Sequence, residues 1–166
     1  MIARALLDTD LGSLSNLVAT VIANTQTGLA LLNVGKTALL VPAVTTPAAG
    51  QPFTLAVNFI SGPDPLTAIQ FDVIPAAGII LSSATIGAAG TAAGKSVSSS
   101  QVAGNLRCLL FGVNQTPVAS GILLTIAGTA GTTKGIASLS FINIVGSKAD
   151  GTTGRLSATS ALMTIQ

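Results

Sequence analysis

Phe53, Leu55, Val57 and Phe59 alternate with Thr54, Ala56 and Asn58. A period of two gives a strand one apolar face and one polar face. Gly62-Pro63-Asp64-Pro65 ends that run, because a glycine and two prolines make a turn. Alternation resumes at Ile69, Phe71 and Val73, with Gln70 and Asp72 between them. The same texture predicts strands over 78–86, 106–113, 122–127, 135–145 and 157–165, separated by clusters of Gly, Ser, Thr, Asn and Pro. From Ala38 onward no stretch reads as a convincing helix. Many short strands between turn signals predict an all-β sandwich or barrel.

Residues 1–36 follow a different pattern. Leu14, Val18, Val21 and Ile22 fit a helical stripe with Ser13 as its N-cap. Segments 17–23 and 29–34 also fit a hairpin turning at 24–28, rich in β-branched residues, which favours extended structure after Leu17. Either form is apolar and has to dock, on its own sandwich or on a neighbour's. The chain therefore divides into an N-terminal assembly arm, 1–36, and a sandwich, 37–166. Leu14, Leu17, Val18, Val21, Ile22, Leu29 and Leu31 are the arm's expected contacts. Hydrophobic arms of this kind can add a strand to another subunit's open edge. The uncharged run 11–35 holds Asn16, Asn24, Gln26 and Asn33, amides that are costly in lipid, so a membrane span is disfavoured. Asp8 and Asp10 fall where a signal peptide needs an apolar stretch, so no secretion signal is expected.

Composition sharpens the picture. Only 7 Lys or Arg and 5 Asp are charged among 166 residues, and the mean hydropathy is +0.75. Charge keeps soluble proteins apart, so a surface this poor in it points to cover by other copies of the chain. The net charge of +2 is scattered, without the basic stripe that nucleic acid requires. General acid–base chemistry has little to work with, because the chain contains no His and no Glu. Asp64 and Asp150 read as turn residues, Asp72 as a solvated outward group, and Cys108 as a small buried hydrophobe. No catalytic, metal-binding or cofactor-binding residue is assigned, and no small-molecule substrate is expected. Asp150-Gly151-Thr152-Thr153 offers one carboxylate and two hydroxyls, too few for a calcium site. Sugar stacking would need Trp or Tyr, which are absent, and the Phe residues at 53, 59, 71, 111 and 141 all fall in patterns pointing to the core. Asn114-Gln115-Thr116 matches a glycosylation sequon but is followed by Pro117.

One stretch imitates a nucleotide site. AGTAAGKS, 89–96, satisfies a relaxed phosphate-loop pattern. Such a loop works by opening a helix whose backbone N–H groups surround an anion. Here Val97-Ser-Ser-Ser-Gln-Val-Ala-Gly follows, a run of poor helix formers, so the stretch is expected to be an inter-strand turn.

An ordered set of segments carries a family likeness. ALLVPAVTTPAAGQPFTLAVNFIS, LTAIQFDVIPAAGIILSSATIG, LRCLLFGVNQTPVASGILLTIAG, GIASLSFINIVGSKADGTTG and ATSALMTIQ follow one another from Ala38 to Gln166. In this order they resemble a bacterial cohesin-type domain, of the divergent, non-cellulosomal kind found in extracellular and surface proteins. The resemblance implies a jelly-roll or immunoglobulin-like β-sandwich that binds another protein through one sheet face, and it brings no catalytic residues. At Val73-Ile74-Pro75, where that family usually has Tyr-Asp-Pro, the sequence departs from it, so the likeness carries no expectation of dockerin recognition.

The function expected from these features is structural and non-enzymatic. Copies of the chain assemble through the arm and the sandwich faces, as in a phage capsid-decoration, head or tail protein, with other proteins of the same particle as further partners. Such a virion component would be made in the host cytoplasm. The alternative is a cell-surface or extracellular cohesin-like binding or adhesion module.

Overall fold

A computed structural model describes residues 37–166. The arm residues Leu14, Leu17, Val18, Val21, Ile22, Leu29 and Leu31 lie outside the described residues.

The elements in chain order are β1 (Ala38–Val44), β2 (Pro52–Ile60), β3 (Leu66–Pro75), β4 (Ile80–Ile86), α1 (Ala88–Ala92), β5 (Ser96–Val102), β6 (Asn105–Phe111), β7 (Gly121–Thr129), β8 (Gly135–Lys148), β9 (Thr153–Gly154), β10 (Leu156–Ala158) and β11 (Ala161–Ile165). They form two sheets. Sheet A runs β10-β1-β2-β7-β4 and sheet B runs β11-β8-β3-β6-β5, with β9 beside β8. β1 and β10 are parallel; the other pairs are antiparallel. The all-β jelly-roll sandwich is thus the observed fold.

Alternation decides which side chains meet between the sheets. Leu40, Leu55, Val57, Phe59, Leu124 and Ile126 of sheet A pack against Ile69, Phe71, Val73, Leu106, Cys108, Leu110 and Leu139 of sheet B, all of them buried. Burying each large side chain stabilises the fold by about 1.5–3 kcal/mol, which holds the inner faces together. Phe71 and Phe141 add a tilted aromatic contact, their centroids 5.3 Å apart.

Several boundaries differ from the sequence expectation. The region 157–165 is two strands, β10 and β11, which belong to different sheets. The segment after the phosphate-loop-like stretch is a strand, β5, paired with β6 from end to end. Its inward side chains bond the neighbouring sheet edge: Ser99 Oγ accepts from Ala84 N at 3.0 Å, and Gln101 Nε2 donates to Leu81 O at 2.6 Å. Those bonds occupy edge groups of β4 that an added strand would need.

The β5–β6 hairpin turns on Ala103 and Gly104, with φ of 50° and 84°. Positive φ at both central positions is the type I′ turn, which favours Asn-Gly, whereas Ala is strained there. Ala103→Asn is therefore expected to stabilise the domain by about 1 kcal/mol, read as a rise in Tm of about 3 °C.

Candidate functional site

The outward residues of sheet B follow from register. Leu106, Cys108 and Leu110 point into the core, so Arg107, Leu109 and Phe111 point out. Pairing carries this orientation across the sheet. One row reads Ser100, Arg107, Asp72, Ile142 from β5 to β8, and the next reads Ser98, Leu109, Gln70, Val145. Further out, Leu162 of β11 lies opposite Ser138 of β8, and Thr164 opposite Ile136. Of the nine exposed large hydrophobic side chains among the described residues, six lie on this one face: Leu109, Phe111, Ile136, Ile142, Val145 and Leu162. Scattered exposed apolar residues are ordinary, but a contiguous cluster marks an interaction site.

A polar network sits in the middle of this apolar face. Arg107 grips Asp72 with two bonds, Nε to Oδ1 at 2.7 Å and Nη2 to Oδ2 at 2.8 Å. Asn143 Nδ2 donates to the same Oδ2 at 2.7 Å. Asn143 reaches it from an irregularity in β8, where its backbone takes φ of 51°. Asn tolerates that left-handed conformation better than most residues. Asp72 is only 2% exposed, while Arg107 remains 37% exposed. The Arg107 hydrogen bonds hold the Asp72 carboxyl below its usual range; burial opposes them, and Asn143 adds to the lowering. Asp72 does face away from the core, as the alternation implies, yet it is not solvated. It is covered by two side chains distant in sequence, of which Arg107 neutralises it and Asn143 adds a hydrogen bond.

Phe111 corrects a second expectation. It is 44% exposed and belongs to the outer face, while Phe53, Phe59 and Phe71 are buried in the core and Phe141 packs against it. Leu110, not Phe111, takes the inward position at that end of β6.

The remaining singled-out residues have structural partners. Asp64 accepts from Arg155 through both its backbone N and its Nε, at 2.8 Å and 3.1 Å, and so does more than turn the chain. Asp150 Oδ1 accepts from Thr152 N and Thr152 Oγ1, and Gly151 takes φ of 81°, the conformation expected of an Asp-Gly turn. Cys108 is fully buried, as expected of a small hydrophobe, and burial pushes its thiol up to about 12, with the Asp72 charge acting in the same direction. A thiol this hard to ionise is a poor nucleophile.

The phosphate-loop-like stretch holds the five-residue helix α1, closed by a reversal at Gly94 with φ of 65°. Lys95 follows the helix and leads into β5, the reverse of a lysine at a helix start. Its ammonium is turned inward, donating to Asn114 O at 3.0 Å and Asn114 Oδ1 at 2.7 Å. Asn114 Nδ2 in turn donates to Gly94 O, so the amide of the sequon is tied into the fold. Burial lowers the Lys95 pKa.

No protein-family model and no curated protein matches the sequence. Solved structures do match. A non-cellulosomal cohesin from the hyperthermophilic archaeon Archaeoglobus fulgidus is similar at 11% identity with a TM-score of 0.67, over 78% of this chain and 91% of that one. The chain carries a cohesin-type fold. A type I cohesin from Clostridium thermocellum, solved in a cohesin–dockerin complex, aligns at 13% identity and a TM-score of 0.67, over 78% of this chain and 99% of that one. A cohesin module of a family 33 glycoside hydrolase from Clostridium perfringens aligns at 16% identity and a TM-score of 0.65, over 78% and 97%. Within this fold Val73 is buried, Ile74 lies opposite Ser140, and Pro75 closes β3, so the departure from Tyr-Asp-Pro sits at the end of a central strand of sheet B.

Proposed function

We propose that residues 37–166 form a non-catalytic protein-binding module that captures a partner on the outer face of sheet B. The observation that carries this is the gathering of six of nine exposed large hydrophobic residues onto that face. Its size suits the role. Five strands about 4.8 Å apart and on average about 28 Å long make a face of roughly 700 Å². That is close to what one partner buries in a standard interface, roughly 800 Å². The fold likeness supports the same reading, since cohesins of this fold are described in complexes with dockerins. A place on the cell surface or outside the cell belongs to the proposal.

Self-assembly through the arm 1–36 into a virion particle draws on the sparse charge and on the apolar pattern of that arm, both read from the sequence. A stable oligomer that falls apart when 1–36 is deleted would favour that reading, and sedimentation measures it.

The binding reading is tested with the full chain passed over the surface and secreted proteins of its own source cells. The retained protein is then titrated against wild type and Leu109→Asp. A charge set into the apolar face is expected to weaken binding by about 100-fold, roughly 2.7 kcal/mol, at unchanged Tm. Equal affinity for both chains removes the face from consideration.

A further inference from the structure

The centre of the face is built to give hydrogen bonds without carrying charge. Asp72 spends its carboxylate on three N–H groups, two from Arg107 and one from Asn143. Arg107 spends only Nε and one N–H of Nη2, and its Nη1 makes no bond among the described residues. With the side chain 37% exposed and no buried side-chain nitrogen left unpaired among the described residues, those remaining N–H groups are open to solvent. The outward neighbours Ser98, Ser100, Gln70, Leu109, Ile142 and Val145 are uncharged. The pair is therefore electrically closed, with Ile142 beside Asp72 in its own row and Leu109 and Val145 in the next row.

This arrangement discriminates among partners. An acidic side chain placed on Arg107 would add a second carboxylate to one guanidinium. The surplus negative charge would lose its water as the apolar rim closed, at a cost of several kcal/mol. A neutral acceptor forms a bond to a charged donor worth about 1.5–3 kcal/mol without that penalty. A second copy of the chain fits poorly, because a two-fold interface centred here would set Arg107 donors against Arg107 donors. We propose that the face selects a foreign protein segment whose contact surface is apolar and uncharged, with an amide, hydroxyl or main-chain oxygen over Arg107, and that Asp72 sets this preference. The proposal rests on the reading of the sheet B face as a binding site.

A display library of amphipathic helices, randomised over apolar, polar and acidic residues on one face, is selected against the full chain. Helices whose binding is lost in Leu109→Asp define ligands of this face. Those ligands are expected to carry Asn, Gln, Ser or Thr rather than Asp or Glu at the centre of the contact. Their affinity should change less than about threefold between about 50 mM and about 500 mM salt, since no net charge is paired. Selection against Asp72→Asn, which leaves Arg107 unneutralised, should instead enrich Asp and Glu and yield salt-sensitive binding. Arg107→Lys keeps the charge beside Asp72 but removes the outward fork, and should weaken the wild-type ligands by about tenfold; this arm stands even if Asp72→Asn does not fold. Acid-rich, salt-sensitive ligands on the wild-type face overturn the proposal while the face remains a binding site. If every selected helix binds Leu109→Asp and Ile142→Asp as well as wild type, the underlying reading of the face is overturned. A dimer in sedimentation that Leu109→Asp dissociates makes a second copy the occupant and overturns the choice of a foreign partner.

Discussion

Phe71→Ala is expected to lower the unfolding free energy by about 3–5 kcal/mol. Phe71 has no exposed surface, pairs with Cys108 across β3–β6, and packs at a tilt against Phe141 with ring centroids 5.3 Å apart. β3 is the central strand of sheet B, held by β8 on one side and β6 on the other, so the surrounding backbone has little room to collapse into the vacated space. A domain of ordinary stability, about 5–15 kcal/mol, would lose a large share of it. Phe111→Ala removes the same ring from a position 44% exposed on the outer face, and should cost about 1 kcal/mol or less. Urea denaturation of the two variants measures the contrast. Equal losses would mean that the register assigning Phe71 inward and Phe111 outward is wrong.

That contrast also shows where the sequence stops being readable. Phe53 to Phe59 declares its buried face through strict alternation, and the structure keeps it. Leu109, Leu110 and Phe111 do not alternate, so residue type cannot say which of them point inward; pairing with β3 decides it, and such pairing joins residues tens of positions apart. β5 was hidden for a related reason. Three of its outward positions, Ser96, Ser98 and Ser100, are serines, and two of its inward ones, Ser99 and Gln101, bond the edge of β4 instead of joining the apolar core. A strand that closes an edge with polar side chains lacks the apolar face by which strands are recognised. Asp72 was legible in orientation but not in environment. Alternation between Phe71 and Val73 put it outside the core, while Arg107 and Asn143 approach it from two other strands. The lone polar residue within Phe141-Ile-Asn-Ile-Val145 was the available signal for Asn143, since an amide inside an apolar run needs a partner.

Asp72→Ala should destabilise the domain by roughly 2 kcal/mol, and replacing both partners, Asp72→Leu with Arg107→Leu, should restore stability to within about 1 kcal/mol of wild type. Breaking a fully buried ion pair costs about 3–5 kcal/mol; the smaller figure follows because Arg107 is 37% exposed and water can reach it once Asp72 is gone. Asn143 is itself exposed, so it too finds water in the double variant. Acid provides an independent check. The Asp72 pKa in the fold lies below its ordinary value, through the Arg107 bonds first and the Asn143 bond after them, against the opposing effect of burial. A lowered folded pKa means that the contribution of the pair is complete above the unfolded value, about 3.9, and disappears as pH falls through the folded one. The gap between wild type and Asp72→Ala should therefore stay constant from about pH 7 to about pH 5 and close toward about pH 2. Urea midpoints across that range measure it. A double variant as unstable as the single one would make the pair a structural requirement of sheet B. Recovery of stability together with lost discrimination between neutral and acidic ligands would instead leave recognition as the reason a charged pair stands in the middle of an apolar face.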